Sequence, residues 1–535
     1  MKRILDRFWN TQWTLTLAAG LLLGLSYPPF PLPFLIFPAF LCIFRIIDLS
    51  SSAREAAYWA YPGFLLWNLI ATYWLMLATL AGGMAAILAN AAVMTIPVMA
   101  QYHCQRSGLS PWLTALLQAS CWVGFEYLHH HWDLAWPWLT AANAWANVPQ
   151  LIQYISLTGF WGVSFWILFT AGLAYQAIIH TSCRTVIPLG TLFFSFPLLS
   201  LAMLWTGPSA DRETEATHEV VVVQPNFDSY ERFGGFATTA RATDHLLRLS
   251  DSLRTPGTDL VVWPENAVQA NIFNRNRSGG EPRSTKRLLS QKARDWDVTL
   301  LAGSTYIEFY NSGNAPPLPN YDSQNRPYLP FNAALHFQPD QSMQVYRKHN
   351  LVPIVERIPF VHFLHAVDVF GWVNWSQIQG YGKGMQAKQF AVEDTKTPAL
   401  ICYDSVYPSW IRTFVQQGAG YLTIITNDGW WGDTSGHAQH FAYARLRAIE
   451  FDRWIVRSAN NGISGIIDAD GFVKVQTSYG ETTAFRHDVP VLTSRTLYAR
   501  FGDWLPVGLL LLAFAGLGYV FLTDNRQKNS NANPA

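Results

Sequence analysis

The stretch Ala399-Leu-Ile-Cys-Tyr-Asp-Ser-Val406 decides the fold of the polar part of this 535-residue chain. Its first three residues suit a buried strand, and Cys402 stands where that strand ends. Loops at the ends of strands are where α/β folds place their chemistry. Cys402 is also the only cysteine in the polar part, because the other four lie in or beside apolar segments. We therefore expect an α/β domain with Cys402 at its functional site.

Two further polar side chains stand in similar positions, Glu265 at the end of Val261-Val-Trp-Pro-Glu265 and Lys348 at the end of Tyr346-Arg-Lys348. A thiol is nucleophilic only as the thiolate, so Cys402 needs a base, and Glu265 can accept its proton and later return one. Lys348 can donate to the oxyanion of a tetrahedral intermediate, together with a backbone N–H beside the cysteine. The three residues together predict nucleophilic acyl chemistry, although spacing alone leaves open that each is structural.

Composition divides the chain into a membrane part and a polar part. Half of the residues are hydrophobic and only 14% are charged, whereas about a quarter are charged in a typical soluble domain. The shortage of charge falls in residues 1–206 and near the C-terminus, and the 23 tryptophans fit a protein with membrane interfaces. A net charge of +1 does not indicate nucleic-acid binding. No metal-ligand spacing, disulfide framework or cofactor is predicted.

Eight apolar segments approach the ~20 residues that a helix needs to cross a bilayer. Their cores are 13–25, 32–47, 57–80, 84–103, 112–128, 159–179, 186–205 and 504–522. If the N-terminus is cytoplasmic, the basic residues that flank these segments also lie on the cytoplasmic side, as the positive-inside rule requires. We therefore predict a transmembrane bundle in 1–210, an extracytoplasmic catalytic domain in 211–497, and a C-terminal transmembrane helix with a cytoplasmic tail in 498–535.

One aromatic stretch of the polar part, residues 358–386, has little regular pattern. Long irregular loops tend to be lids or binding loops, so we predict that this arm touches lipid, with coverage of the domain's own core as the alternative. Trp430 and Trp431 are candidates, with the arm, for keeping water away from the reacting groups. Ordinary packing is the alternative for this tryptophan pair.

Several motifs carry a family resemblance. Trp263-Pro-Glu265, Arg347-Lys348 and Cys402-Tyr-Asp404 resemble the Glu–Lys–Cys motifs of the nitrilase, or carbon–nitrogen hydrolase, superfamily. Val223-Gln-Pro-Asn226 and Arg457-Ser-Ala-Asn-Asn-Gly462 are similar to the apolipoprotein N-acyltransferases within it. The resemblance covers nearly the whole chain. It implies a nitrilase-like αββα sandwich, an α/β domain, joined to an α-helical bundle of about eight transmembrane helices.

The resemblance also implies residue roles. Glu265 matches the family's general base, Lys348 its oxyanion-stabilising lysine and Cys402 its nucleophile. The further residues that it implies are a supporting carboxylate, an asparagine near the pocket and two that line the site: Glu356, Asn332, Tyr403 and Asp404. Well-known members have Glu where this chain has Asp404, which bears on acceptor choice more than on the catalytic three.

The family moves a fatty acyl chain from a membrane phospholipid to the N-terminal α-amine of the diacylglyceryl-cysteine on apolipoproteins. The resemblance therefore implies a ping-pong acyltransferase with a Cys402 thioester, performing the final step of lipoprotein maturation in the bacterial inner membrane, with a periplasmic catalytic domain. Its partners are a phospholipid donor, a diacylated apolipoprotein acceptor and the bilayer. Two alternatives stay open: a membrane-tethered nitrilase-type amidase that uses water as acceptor, and a non-catalytic lipid-binding or scaffold protein.

Overall fold

A computed structural model of the protein describes residues 9–180, 183–206, 214–274, 281–311, 313–340, 342–367 and 372–532. The chain divides into two compact units. One unit comprises Met1–Ser209 and Phe501–Ala535, and the other comprises Ala210–Arg500. The regular elements described in the first unit are all helices, whereas the second unit combines sheets and helices.

The helical unit contains ten helices before the second unit begins, counted over the described residues, and one after it. They are α1 Gln12–Ser26, α2 Ile36–Leu49, α3 Ala53–Thr72, α4 Leu75–Ala78, α5 Leu80–Val93, α6 Thr95–Gln105, α7 Pro111–His129, α8 Ile155–Thr158, α9 Trp161–His180, α10 Cys183–Thr206 and the C-terminal helix Trp504–Ala532. Gly20 of α1 packs against α3 so closely that a Cβ there would lie 2.4 Å from the Gly63 carbonyl oxygen. Small residues of this kind let apolar helices approach each other.

Four helical segments among the described residues are long and apolar enough to cross a membrane. They are Leu80–Gln105, Trp161–His180, Leu189–Thr206 and Trp504–Thr523. Helices occupy the other predicted spans too, but they are shorter or more polar. The 14 residues of α2 reach about 21 Å, less than the ~30 Å hydrocarbon core, and α3 begins with Ala53, Arg54 and Glu55. The eight-span arrangement therefore stays a prediction.

Two sheets form the centre of the second unit. One has the strand order β14-β1-β2-β4-β6-β5, with β3 paired to β4 and β7 to β6, and the other has the order β13-β12-β11-β10-β9-β8. The strands are β1 Thr214–Gln224, β2 Thr258–Val262, β3 Val268–Phe273, β4 Thr299–Phe309, β5 Asn320–Tyr321, β6 Pro327–Phe337, β7 Met343–Arg347, β8 Gln389–Val392, β9 Thr395–Ile401, β10 Leu422–Thr426, β11 Ile455–Ala459, β12 Gly465–Ile467, β13 Val473–Gln476 and β14 Thr483–Leu492. The predicted α/β domain with two sheets is confirmed.

Parallel pairing sets the position of the site. Strands β1, β2 and β4 are parallel neighbours in the first sheet, as are β9, β10 and β11 in the second. Parallel strands bring their carboxyl ends to the same edge of a sheet. The residues that follow β2 therefore lie at the carboxyl edge of the first sheet, and those that follow β9 and β10 lie at the carboxyl edge of the second.

The helices of this unit are α11 Thr239–Asp251, α12 Glu281–Trp296, α13 Val361–Ala366, α14 Trp375–Ile378, α15 Pro408–Gln416, α16 Ser435–Phe451 and α17 Leu497–Phe501. Leu246 of α11 and Leu289 of α12 belong to one buried cluster with Val221, Val261 and Leu300 of the first sheet. All five residues of β10 and of β11 are buried. Continuous burial is typical of strands covered on both faces, so these strands form a rigid support for the residues at their ends.

The predicted arm, 358–386, contains α13 and α14, and its residues 368–371 lie outside the described residues. Val361 and Trp375 are buried, so part of the arm covers the core of the unit. Phe363 and Trp372 instead expose 65% and 85% of their surface. The arm thus combines an anchored side with exposed aromatic side chains, and its contact with lipid stays a prediction.

Candidate active site

Cys402 follows β9 directly and begins a short 3-10 turn, Cys402–Val406. Its φ is +45°, a left-handed backbone conformation that residues other than glycine rarely adopt. Ser405 Oγ donates to the Cys402 carbonyl oxygen at 2.7 Å, which holds the turn closed. The cysteine is almost fully buried. Strained backbone at a buried nucleophilic residue is typical of active sites.

The structure brings Glu265, Lys348, Glu356 and Asn332 into one buried cluster. Lys348 Nζ lies 2.9 Å from Glu356 Oε1 and 3.4 Å from Glu265 Oε1. Asn332 Nδ2 donates to the same two oxygen atoms, at 2.8 Å and 2.6 Å. Both the lysine and the asparagine thus bridge two carboxylates. Sequence reasoning proposed all four residues for the site, and they lie side by side.

Main-chain groups fix the orientation of the two carboxylates. The N–H of Asn427, just after β10, donates to Glu265 Oε2 at 2.8 Å, and the N–H of Val352 donates to Glu356 Oε2 at 2.8 Å. Gly303 of β4 passes so close that a Cβ there would lie 2.5 Å from Glu265 Cα. The position therefore requires glycine, because any side chain would push the Glu265 backbone away.

The charges of the cluster act on the Cys402 thiol. Burial, and then the Glu265 carboxylate, raise the pKa of the thiol, while the Lys348 ammonium lowers it, and the net shift is upward. Burial also raises the pKa of Glu265, with a smaller contribution from Glu356. Burial lowers the pKa of Lys348, but the two carboxylates outweigh it and the net shift is upward. The resting site thus holds a neutral thiol beside a lysine that stays charged, so attack by sulfur needs a base.

Asp404 is fully buried. It accepts a hydrogen bond from the Tyr346 hydroxyl at 2.8 Å and from the Asn350 main-chain N–H at 2.7 Å. Burial raises its pKa to about 6. Because Tyr346 and Asn350 flank Lys348 in the chain, Asp404 ties the lysine segment to the cysteine turn. That Asp404 also lines the site stays a prediction.

A second buried network lies beneath the cysteine turn. His440 Nδ1 lies 2.9 Å from Asp428 Oδ1, and its Nε2 lies 3.0 Å from Ser405 Oγ and 3.3 Å from the Cys402 carbonyl oxygen. Arg457 Nη2 donates to Asp428 Oδ2 at 2.8 Å. Sequence reasoning did not single out these residues as a group. Asp428 soon after a buried strand was the available indication, but its partners lie on other elements.

The two predicted tryptophans have different environments. Trp430 is 38% exposed and lines a cavity of about 470 Å³. Asn427 and Asn266, the residue that follows Glu265 in the chain, line the same cavity. The Trp431 ring lies 5.9 Å, centroid to centroid, from the ring of His440.

Tyr403 is buried next to Cys402, and its ring meets that of Tyr407 edge to face at 5.2 Å. Over the described ranges, no group of three or more His, Cys, Asp and Glu side chains is arranged to hold a metal ion.

Comparison with known proteins agrees with the fold. The carbon–nitrogen hydrolase family model matches residues 219–495, more than half of the chain, and the model for the apolipoprotein N-acyltransferase N-terminal domain matches residues 19–173. The apolipoprotein N-acyltransferase of Chlorobaculum tepidum is 29% identical over 519 residues, 94% of this chain and 95% of that protein. That of Geobacter metallireducens is 26% identical over 517 residues, 93% of each. Yeast Nit3, a nitrilase-superfamily protein, aligns with 52% of this chain and 91% of its own, with 17% identity and a TM-score of 0.38.

Proposed function

The chain belongs to the carbon–nitrogen hydrolase family, and on that premise we propose that it is an acyltransferase of lipoprotein maturation. It moves a fatty acyl chain from a membrane phospholipid to the N-terminal α-amine of a diacylglyceryl-cysteine on an apolipoprotein. The observation that carries this proposal is the buried Glu265–Lys348 pair, whose charges act on the thiol of Cys402. The match of the N-terminal family model to residues 19–173 favours this function over that of a water-using amidase.

In the first half-reaction, Cys402 Sγ attacks the carbonyl carbon of the phospholipid ester while Glu265 takes the thiol proton. Lys348 Nζ and a main-chain N–H of the cysteine turn donate to the oxyanion. The ester C–O bond then breaks, Glu265 returns the proton to the leaving oxygen, and a lysophospholipid departs. The acyl chain remains on sulfur as a thioester.

In the second half-reaction, the α-amine of the acceptor attacks the thioester carbonyl. Glu265 accepts the amine proton, a step favoured by its raised pKa. An amide forms, and the Cys402 thiolate regains a proton from Glu265. Asn332 and Glu356 keep the side chains of Lys348 and Glu265 in the same relative positions through both half-reactions. Trp430, Trp431 and the arm exclude water, which would otherwise hydrolyse the thioester.

The proposal includes the membrane arrangement. Residues 1–210 and 498–535 form a bundle of about eight transmembrane helices, and residues 211–497 are the catalytic domain on the periplasmic side of the bacterial inner membrane. The four long apolar helices and the one-sided distribution of basic residues support this arrangement. Both substrates are held in the bilayer, the donor as a phospholipid and the acceptor by its diacylglyceryl group. A membrane-embedded enzyme can therefore meet both by diffusion in the bilayer.

Intact-protein mass spectrometry tests the proposal. The detergent-solubilised protein is incubated with a phospholipid of defined acyl chains, and we expect a mass increase of one acyl group on Cys402. Adding a diacylglyceryl-cysteine peptide should discharge the thioester and yield a triacylated peptide. Cys402→Ala should show neither step, whereas Cys42→Ala, which removes a buried thiol of the helical unit, should show both. Release of free fatty acid without transfer to the amine would support the amidase instead.

A further inference from the structure

The side chain of Asn427 carries a hydrogen-bond donor without an acceptor. Its Oδ1 accepts hydrogen bonds from the Ser229 hydroxyl at 2.9 Å, from Asn460 Nδ2 at 3.1 Å and from the Gly429 main-chain N–H at 3.2 Å. Because a main-chain N–H can only donate, the amide atom that it contacts must be the oxygen. The Nδ2 therefore points away from these partners, and it donates to none of the residues that the structure describes.

Asn427 lines the cavity of about 470 Å³, although only 5% of the residue is exposed. A buried donor without an acceptor destabilises a folded protein, and an oxygen atom of a ligand in the cavity would satisfy it. The Asn427 side chain thus indicates a ligand that carries a hydrogen-bond acceptor.

Glu265 has acceptor capacity next to this donor. Its Oε1 accepts hydrogen bonds from Asn332 at 2.6 Å and from Lys348 at 3.4 Å. Counted over the described residues, its Oε2 accepts one, from the Asn427 main-chain N–H at 2.8 Å. A carboxylate oxygen can accept two hydrogen bonds. Oε2 is therefore the oxygen that can take a proton from a substrate, and it lies against the residue whose side-chain donor is free.

The charged side chains of the cavity favour an amine over a phosphate. In the described part of the lining they are two carboxylates and one guanidinium, Asp228, Glu231 and Arg232. An α-amine has a pKa of about 8 and arrives as an ammonium at neutral pH, whereas a phospholipid carries a negative phosphate. The excess of negative charge attracts the ammonium and repels the phosphate.

We propose that this cavity holds the lipidated cysteine of the acceptor by two contacts, in which its α-amine donates to Glu265 Oε2 and its carbonyl oxygen accepts from Asn427 Nδ2. This inference rests on the proposed function. The nitrogen and the carbonyl oxygen of one amino-acid residue are about 3 Å apart, so one residue can reach neighbouring groups of Glu265 and Asn427. The second contact orients the amine towards the base. The site thus selects α-amino carbonyl compounds over simple alkyl amines.

The test compares two acceptors with the same lipid at saturating donor. One is diacylglyceryl-cysteine amide, and the other is diacylglyceryl-cysteamine, which has the amine but no carbonyl group. Asn427→Asp keeps the oxygen that accepts three hydrogen bonds and replaces the free donor by a second oxygen. The ratio of KM for the cysteamine to KM for the amide should be about fivefold smaller in this variant than in the wild type, since one hydrogen bond contributes about that much. Differences in basicity between the two amines are the same for both proteins and cancel in the comparison.

Asn271→Asp is the matched control for charge. Asn271 lines the same cavity at an exposed position, so the variant adds the same charge and leaves Asn427 Nδ2 in place. Its KM ratio should equal that of the wild type. If Asn427→Asp reacts too slowly for kinetics, the same ratios are measured as dissociation constants in the Cys402→Ala background, which needs no turnover.

An unchanged ratio in Asn427→Asp would overturn the inference, as would an equal change in Asn271→Asp, which would assign the effect to charge. Slower thioester formation from the phospholipid, with an unchanged acceptor ratio, would assign the cavity to the donor's phosphate and would also overturn it. Thioester formation on Cys402 in the wild type is measured separately. Its absence would refute the proposed function, whereas the dissociation constants would still decide this site.

Discussion

The Lys348 ammonium lies closer to Glu356 than to the proposed base, since its Nζ is 2.9 Å from Glu356 Oε1 and 3.4 Å from Glu265 Oε1. A lysine paired only with the base would hold its pKa low and weaken it. The second carboxylate shares the positive charge and adds a negative one, which raises the pKa of Glu265. Glu356 thus keeps the proposed base basic.

Glu356→Gln should therefore lower the pKa of Glu265. The acidic limb of the rate of thioester formation should move to lower pH, and the rate at neutral pH should fall about tenfold because the base is weaker. The measurement is single-turnover acylation of Cys402 between pH 5 and pH 9. Glu393→Gln, at an exposed position, is the control. A limb that moves to higher pH would contradict the role assigned to Glu356.

Gly303→Ala tests the placement of the base by packing alone. The new methyl group would lie 2.5 Å from Glu265 Cα, so the Glu265 backbone must shift. We expect thioester formation to fall about a hundredfold, because misplacing a catalytic group by about 1 Å costs that much. Gly313→Ala is the matched control, since nothing lies within 4 Å of a Cβ there. Full activity of Gly303→Ala would show that the site tolerates the displacement.

His440 positions the cysteine turn through Ser405 and the Cys402 carbonyl. His440→Phe should remove these contacts and slow the alkylation of Cys402 by iodoacetamide about tenfold. The left-handed turn loses hydrogen bonds, and the free energy that such bonds contribute corresponds to a change in rate of about this size. His440→Gln retains an N–H donor and should recover part of the rate. The two variants should show equal rates if the histidine only fills space. Circular dichroism checks that both remain folded.

His336 should make the catalytic domain acid-sensitive. Its ring is fully buried, stacks on Phe390 at 4.5 Å, and has no hydrogen-bond partner for either nitrogen within the described residues. Burial, with help from Lys388, lowers its pKa to about 3. The unfolded chain binds a proton at this residue below about pH 6.5, whereas the folded chain does so only near pH 3, so stability falls as pH drops through that window.

His336→Phe should remove this dependence. The melting temperature of the purified protein should fall less between pH 7 and pH 4.5 in the variant than in the wild type. At pH 7 the variant should also be more stable, since each unpaired buried polar atom costs ~1–3 kcal/mol. Parallel melting curves for the two proteins across this pH range would contradict the assignment.

The fold could be predicted where strands are buried throughout. The last five residues of β9 and all five residues of β10 and of β11 are buried, and apolar runs within these strands predicted all three. Strands β3, β7 and β13 were not predicted because most of their residues are only partly buried or are exposed. A half-exposed edge strand has no continuous apolar run to identify it.

The site was predictable to the same extent. Glu265 and Cys402 each follow an apolar run at the end of a parallel strand, β2 and β9, whereas Lys348 follows β7, which is antiparallel to β6. Asn427 and His440 contribute through a main-chain N–H and a buried hydrogen-bond network. Neither contribution depends on a local pattern, because the partners come from separate elements. Tertiary structure alone shows them.

The left-handed backbone at Cys402 lowers the stability of the folded protein at the position where activity needs a thiol. Glycine adopts that conformation without steric cost, whereas every residue with a Cβ is strained there. An inactive Cys402→Gly protein should therefore melt at a higher temperature than Cys402→Ala, the reverse of the order usual inside helices. Selection for heat resistance alone would favour glycine over cysteine at position 402. Only the requirement for acyl transfer keeps a thiol there.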